Sequence, residues 1–149
     1  MLISPPMLSA TTSSNNGSHI IATRPELKIL LVEDSLLLQG RLAELLTEDG
    51  LMRVTGRAES ESQANKLIDQ GEFDVLVVDI ELRPGSGVNV IRHARKRWTT
   101  PPLPLIIVLT NHTSRTVRDL SEKAGADHYL DKMYEFAKLY PLVVGRATS

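Results

Sequence analysis

The chain contains no cysteine. That one absence excludes disulfide frameworks, thiolate nucleophiles, dithiol redox pairs and cysteine-ligated zinc. It suits a reducing compartment, and a cytoplasmic location is expected. Net charge is almost absent too, with 17 Lys+Arg against 18 Asp+Glu and a formal charge of −1. The whole molecule therefore carries no electrostatic footprint for nucleic acid or an acidic membrane, and direct DNA binding is not expected. No uncharged apolar run reaches about 18 residues, so no transmembrane helix is expected. The first 25 residues lack a basic opening region, and Pro5 and Pro6 break their apolar stretch, so they are not a secretory signal. Arg24 alone is too little arginine for a transit peptide. Residues 1–25 read as a disordered leader, too polar to bury a core. What is present is ordinary for a globular chain: 42% hydrophobic and 23% charged over 149 residues. One domain, residues 26–149, is expected.

The texture changes after Pro25. Leu27 to Val32 is a short apolar run that stops at Glu33-Asp34, the length of a buried strand. Leu37, Leu38, Leu42, Leu45 and Leu46 follow at helical spacing, with Asp34 or Ser35 as N-cap and Gly50 as stop. Met52–Gly56 reads as a second strand and Ser60–Gln70 as a second helix. Asp74–Asp79 contains four aliphatic residues without alternation, which suits a strand covered on both faces of a parallel sheet. A loop with Pro84, Gly85 and Gly87 leads to a helix over Val88–Trp98. Leu105–Thr110 is a fourth strand, and Ser114–Lys123 a helix with a thin apolar face of Val117, Leu120 and Ala124. His128–Leu130 is a fifth strand, ending at Asp131-Lys132. A turn over Tyr134–Leu139 and a short helix from Pro141 complete the chain, since proline is tolerated in a first turn only. Strand–helix alternation repeated five times specifies a flavodoxin-like (βα)5 α/β fold, a doubly wound parallel sheet with strand order 2-1-3-4-5.

Ligands in such sheets bind beyond the carboxyl ends of the strands. In this order Glu33, Asp34 and Asp79 converge there, with Thr110 and Lys132 beside them. Three carboxylates at close range repel, and a divalent cation relieves them. All-oxygen ligands indicate a hard ion, and few carboxylates without a caging loop favour Mg²⁺ over Ca²⁺. A metal, the Lys132 ammonium and the Thr110 hydroxyl together suit an incoming phosphoryl dianion, with Asp79 as nucleophile. Each residue alone has a plainer reading: Asp after a strand is often a helix cap, and Lys is usually solvated. The joint pattern carries the weight.

The stretches ILLVEDS, FDVLVVDIELRPGSG, PLIIVLTN and GADHYLDK resemble a receiver domain of a two-component response regulator, from about Leu27 to about Val144. By that resemblance Glu33 and Asp34 are the acidic pair for Mg²⁺ and Asp79 is the phosphoacceptor. The backbone carbonyl of Glu81 completes the metal shell. Thr110 is the switch hydroxyl, Lys132 the site lysine and Tyr129 the aromatic switch. Tyr129 also has the plainer reading of a half-buried edge aromatic with its hydroxyl in water. The phosphoryl donor is a histidine kinase or a histidine phosphotransfer protein. Without a following output domain, a single-domain receiver acts through a downstream protein, with a homodimer as a further option, and is not an enzyme.

The sequence departs from that family's pattern at two places. Met133 follows Lys132 where proline is usual, which makes a cis bond there improbable and puts the usual output face in doubt. Asn111 stands where a small residue is usual. Asn111 and the long acid Glu81 are candidate modulators of phosphate lifetime. Met133 and Asn111 also motivate an alternative, a receiver-like binding module without phosphotransfer. A remoter one is a small phosphohydrolase with an aspartyl nucleophile. The basic run Arg92–Trp98 is expected to complement a helix dipole. The four histidines, His19, His93, His112 and His128, show no metal spacing and read as surface residues.

Overall fold

The computed structural model describes residues 26–148, so the expected leader over residues 1–25 lies outside the described residues. Five strands alternate with five helices: β1 (Leu27–Val32), α1 (Leu36–Thr47), β2 (Met52–Ala58), α2 (Glu61–Gln70), β3 (Val75–Val78), α3 (Gly87–Arg97), β4 (Leu105–Thr110), α4 (Arg115–Ala124), β5 (His128–Asp131) and α5 (Leu139–Thr148). The strands form one parallel sheet in the order β2-β1-β3-β4-β5, as expected from the alternation.

Side chains of a strand point alternately to the two faces, and here both faces are covered. Leu30, Val32, Leu76, Val78, Ile106 and Val108 pack with α2 and α3 on one side. Ile29, Leu31, Val75, Val77, Ile107 and Leu109 pack with α1 and α5 on the other. Double coverage explains why β3 and β4 read as continuous apolar runs.

Local chemistry sets the helix ends. Ser35, Ser60, Ser86 and Ser114 each accept a backbone N–H from the first turn of α1, α2, α3 and α4. Gly87 opens α3 directly against the end of β3. A Cβ there would lie 2.1 Å from the Asp79 carbonyl oxygen, so only glycine fits.

Three sequence expectations shift. Leu37 was expected on the inner face of α1 but is exposed, because the buried stripe runs Gln39, Leu42, Ala43, Leu46. Leu120 of α4 is likewise largely exposed. A 3-10 turn (Phe136–Lys138) precedes α5, which begins two residues before Pro141 and keeps that proline in its first turn.

Candidate functional site

Register brings the site together. Val32 of β1 pairs with Val78 of β3, so Glu33 and Asp79 leave adjacent strands at the same level. Thr110 ends β4, and the Lys132 N–H donates to the Thr110 carbonyl at 2.8 Å just past the end of β5. Glu33 and Asp79 are 3% and 5% exposed, and Thr110 is fully buried. One carboxylate oxygen from each of Glu33, Asp34 and Asp79 lies within 4.8 Å of the others.

Lys132 bridges two of the acids. Its Nζ donates to Glu33 Oε1 at 2.8 Å and to Asp79 Oδ2 at 2.9 Å. The second oxygen of each carboxylate is held by backbone: the Ser35 N–H donates to Glu33 Oε2 and the Glu81 N–H to Asp79 Oδ1. Burial pushes the Glu33 carboxyl above its ordinary pKa, outweighing the lowering by Lys132 and the Ser35 N–H. Burial pulls the Lys132 ammonium down, yet the hydrogen bonds and charges of Glu33 and Asp79 more than offset it and hold it above the ordinary lysine value. One ammonium facing three carboxylates leaves the cluster net negative. Its donors are all carboxylate oxygens, so the set fits a hard divalent cation.

The response regulator receiver domain family matches residues 29–143. The chain belongs to that family. This receiver is 34% identical over 111 residues to a protein-glutamate methylesterase/protein-glutamine glutaminase of Pseudomonas putida, a match covering 72% of this chain and 29% of that protein. A second such protein, from Koribacter versatilis, is 29% identical over 115 residues, covering 76% of this chain and 31% of its own length. The receiver thus spans less than a third of these curated relatives. Among solved structures, it is similar to the receiver domain of a sensor histidine kinase from Pseudomonas aeruginosa. That match has a TM-score of 0.70 and 26% identity, and covers 84% of this chain and all of that one. The Pseudomonas structure holds a magnesium ion in its active-site cleft. A CheY-like receiver from Methanospirillum hungatei shares the fold at a TM-score of 0.74 and 22% identity, covering 83% of this chain and 95% of that one.

The structure gathers Glu33, Asp34, Asp79, Thr110 and Lys132 on one edge of the receiver. Asn111 and Glu81 are exposed at its rim. Tyr129 is 8% exposed, and its hydroxyl donates to the His112 carbonyl instead of standing in water. Burial pushes that hydroxyl above the ordinary tyrosine pKa, and the Arg118 guanidinium, 5.6 Å from the ring centroid, partly opposes the shift.

Two residues do more than the sequence suggested. His112, read as a surface residue, keeps its imidazole partly exposed, and an acid distant in sequence lies beside it. His112 stands at the site's rim, with Nδ1 3.8 Å from Glu81 Oε2 and its backbone N–H donating to Thr110 Oγ1. Arg95 does more than complement the α3 dipole: it donates to the Gly125 and Pro104 carbonyls and to Asp127, tying α3 to the amino ends of β4 and β5.

The loop after Lys132 has its own support. Asp131 Oδ1 accepts the N–H groups of Met133 and Tyr134, and Glu135 Oε1 accepts the Asp131 N–H. Sequence reasoning missed this ring of bonds and also missed Gln39, whose amide reaches the Glu33 carbonyl. A signal for Gln39 existed: it lies three and seven residues before Leu42 and Leu46, on the apolar stripe of α1.

Proposed function

We propose that this receiver accepts a phosphoryl group on Asp79 from the phosphohistidine of a histidine kinase or a histidine phosphotransfer protein. The observation that carries the reading is the convergence of three carboxylates with a half-buried lysine, both cation-pairing and phosphate-pairing chemistry on one sheet edge. An Asp79 carboxylate oxygen forms the new P–O bond as the donor's P–N bond breaks, and the imidazole takes up a proton as it leaves. Glu33, Asp34 and Asp79, with the Glu81 carbonyl, would hold Mg²⁺, which would supply charge neutralisation for the phosphoryl oxygens. Lys132 follows the new dianion with the ammonium it now shares between Glu33 and Asp79. The Thr110 oxygen accepts from the His112 N–H, so its own proton serves an incoming oxygen.

The new charge then acts as a switch. Drawing Thr110 toward the phosphoryl group pulls on the His112 segment, whose carbonyl holds the Tyr129 hydroxyl. The Tyr129 contact transmits the change to the α4–β5 surface, where a downstream protein or a second receiver reads it. In this reading the chain is a signalling switch and not an enzyme, and Glu81 and Asn111 at the rim set how long the phosphoryl group survives.

Incubation of the chain with Mg²⁺ and acetyl phosphate, followed by intact-mass measurement, tests the reading. The parent gains one phosphoryl mass and Asp79→Asn gains none. A parent left unmodified under saturating donor would instead establish a receiver-like binding module without phosphotransfer.

A further inference from the structure

Gln39 stands in the first turn of α1, on the stripe that buries Leu42, Ala43 and Leu46. A polar amide 3% exposed among such neighbours is costly unless it is hydrogen-bonded. Its Nε2 donates to the Glu33 carbonyl at 2.6 Å and to the Ala58 carbonyl at 3.2 Å. The Ala58 carbonyl also accepts the Glu33 N–H at 2.9 Å. Both ends of the Glu33 backbone are thereby tied to the end of β2, one directly and one through Gln39. The next residues are tied to α1: the Ser35 N–H donates to Glu33 Oε2, and Ser35 caps the helix through the Leu38 N–H. The short turn that carries Glu33 and Asp34 is clamped from both sides.

We propose that Gln39 is a positioning residue for the cation site, holding the Glu33–Asp34 turn so that its carboxylates stay converged with Asp79 despite their repulsion. The proposal rests on reading the acidic triad as a Mg²⁺ site. Gln39 touches neither the cation nor the phosphoryl group; it acts through the backbone of Glu33. An apolar side chain of equal length would fill the same space and leave the Glu33 carbonyl without this partner. The turn would then be free to let its charges spread, and cation affinity would fall. Groups that orient metal ligands commonly change affinity by about 10–100-fold when removed.

The test uses the full chain and Gln39→Met, with Mg²⁺ titrated calorimetrically into each. The variant should bind Mg²⁺ roughly tenfold more weakly. Labelling by acetyl phosphate should need correspondingly more Mg²⁺ but reach the parental extent at saturation, a rescue that a general loss of structure would not show. An unchanged Mg²⁺ dissociation constant in Gln39→Met overturns the proposal while leaving the site reading intact. A parent that binds no Mg²⁺ overturns both. Nuclear magnetic resonance on the parent covers the case of a variant that does not fold. The Gln39 side-chain amide protons should exchange far more slowly than those of exposed Gln70 and shift when Mg²⁺ is added. Fast exchange, or no shift, also overturns the proposal.

Discussion

The two edges of the sheet use the same residue types in opposite ways. At the amino edge, Asp74 accepts the Lys28 N–H, and Asp127 accepts the Ile106 N–H and the Arg95 guanidinium. Each of these acids serves the second N–H of a neighbouring strand. At the carboxyl edge, Glu33, Asp34 and Asp79 crowd together, and Glu33 and Asp79 share one ammonium. Acids at the amino edge stand apart and complete the backbone's hydrogen bonding. Acids at the carboxyl edge are held close against repulsion, which is useful only if something positive arrives. An acid at a strand end is therefore not evidence of function by itself; the concentration of acids is.

The sharpest way to break this comparison is to exchange roles. Asp79→Asn should abolish phosphoryl uptake without loss of stability, since it removes repulsion. Asp127→Ala should retain uptake yet lose roughly 1–3 kcal/mol, because the buried Ile106 loses its N–H partner. Intact mass and urea unfolding on both variants decide it, and loss of uptake in both would erase the distinction.

Lys132→Ala comes next. Removing the partner of buried carboxylates should cost roughly 3 kcal/mol, and added Mg²⁺ should recover part of it by taking the ammonium's place. Urea unfolding with and without Mg²⁺ measures both, and an absence of Mg²⁺ recovery would count against a cation site.

A smaller effect follows from acid. The folded-state pKa of Glu33 is raised above 4.5, so ionising it costs the folded chain stability as pH rises through that window. Protonation below the raised pKa removes a ligand charge. Mg²⁺ affinity should therefore fall on acidification starting above pH 4.5, and calorimetry across that range follows it. The smallest change is at the rim: Asn111→Ala should alter the decay of phosphorylated chain severalfold, read by mass against time.

Much of the architecture was legible before any coordinates. Unbroken apolar runs marked β3 and β4 because both faces of the sheet are covered. The cap of α1 was narrowed to Asp34 or Ser35 because the first-turn N–H groups need acceptors, and Ser35 fills that role. The site acids were legible because they directly follow the apolar runs of β1 and β3, and a parallel sheet brings all such endings to one edge. Gln39 was hidden because a polar residue on an apolar stripe looks like an interruption until its carbonyl partners are known. His112 and Glu81 lie far apart in the chain and meet only through the neighbouring positions of β3 and β4.

The sequence by itself determined the elements, their order and the edge on which the acids gather. These follow from periodicity, capping and the alternation of strands with helices, all of which act over a few residues. Tertiary structure alone decided what each charge faces. It placed Lys132 between Glu33 and Asp79, set Arg95 across the amino edge and buried the Tyr129 hydroxyl against the His112 carbonyl. Hydrogen bonds act over about 3 Å, and residues far apart in sequence come that close only when the sheet has set their register.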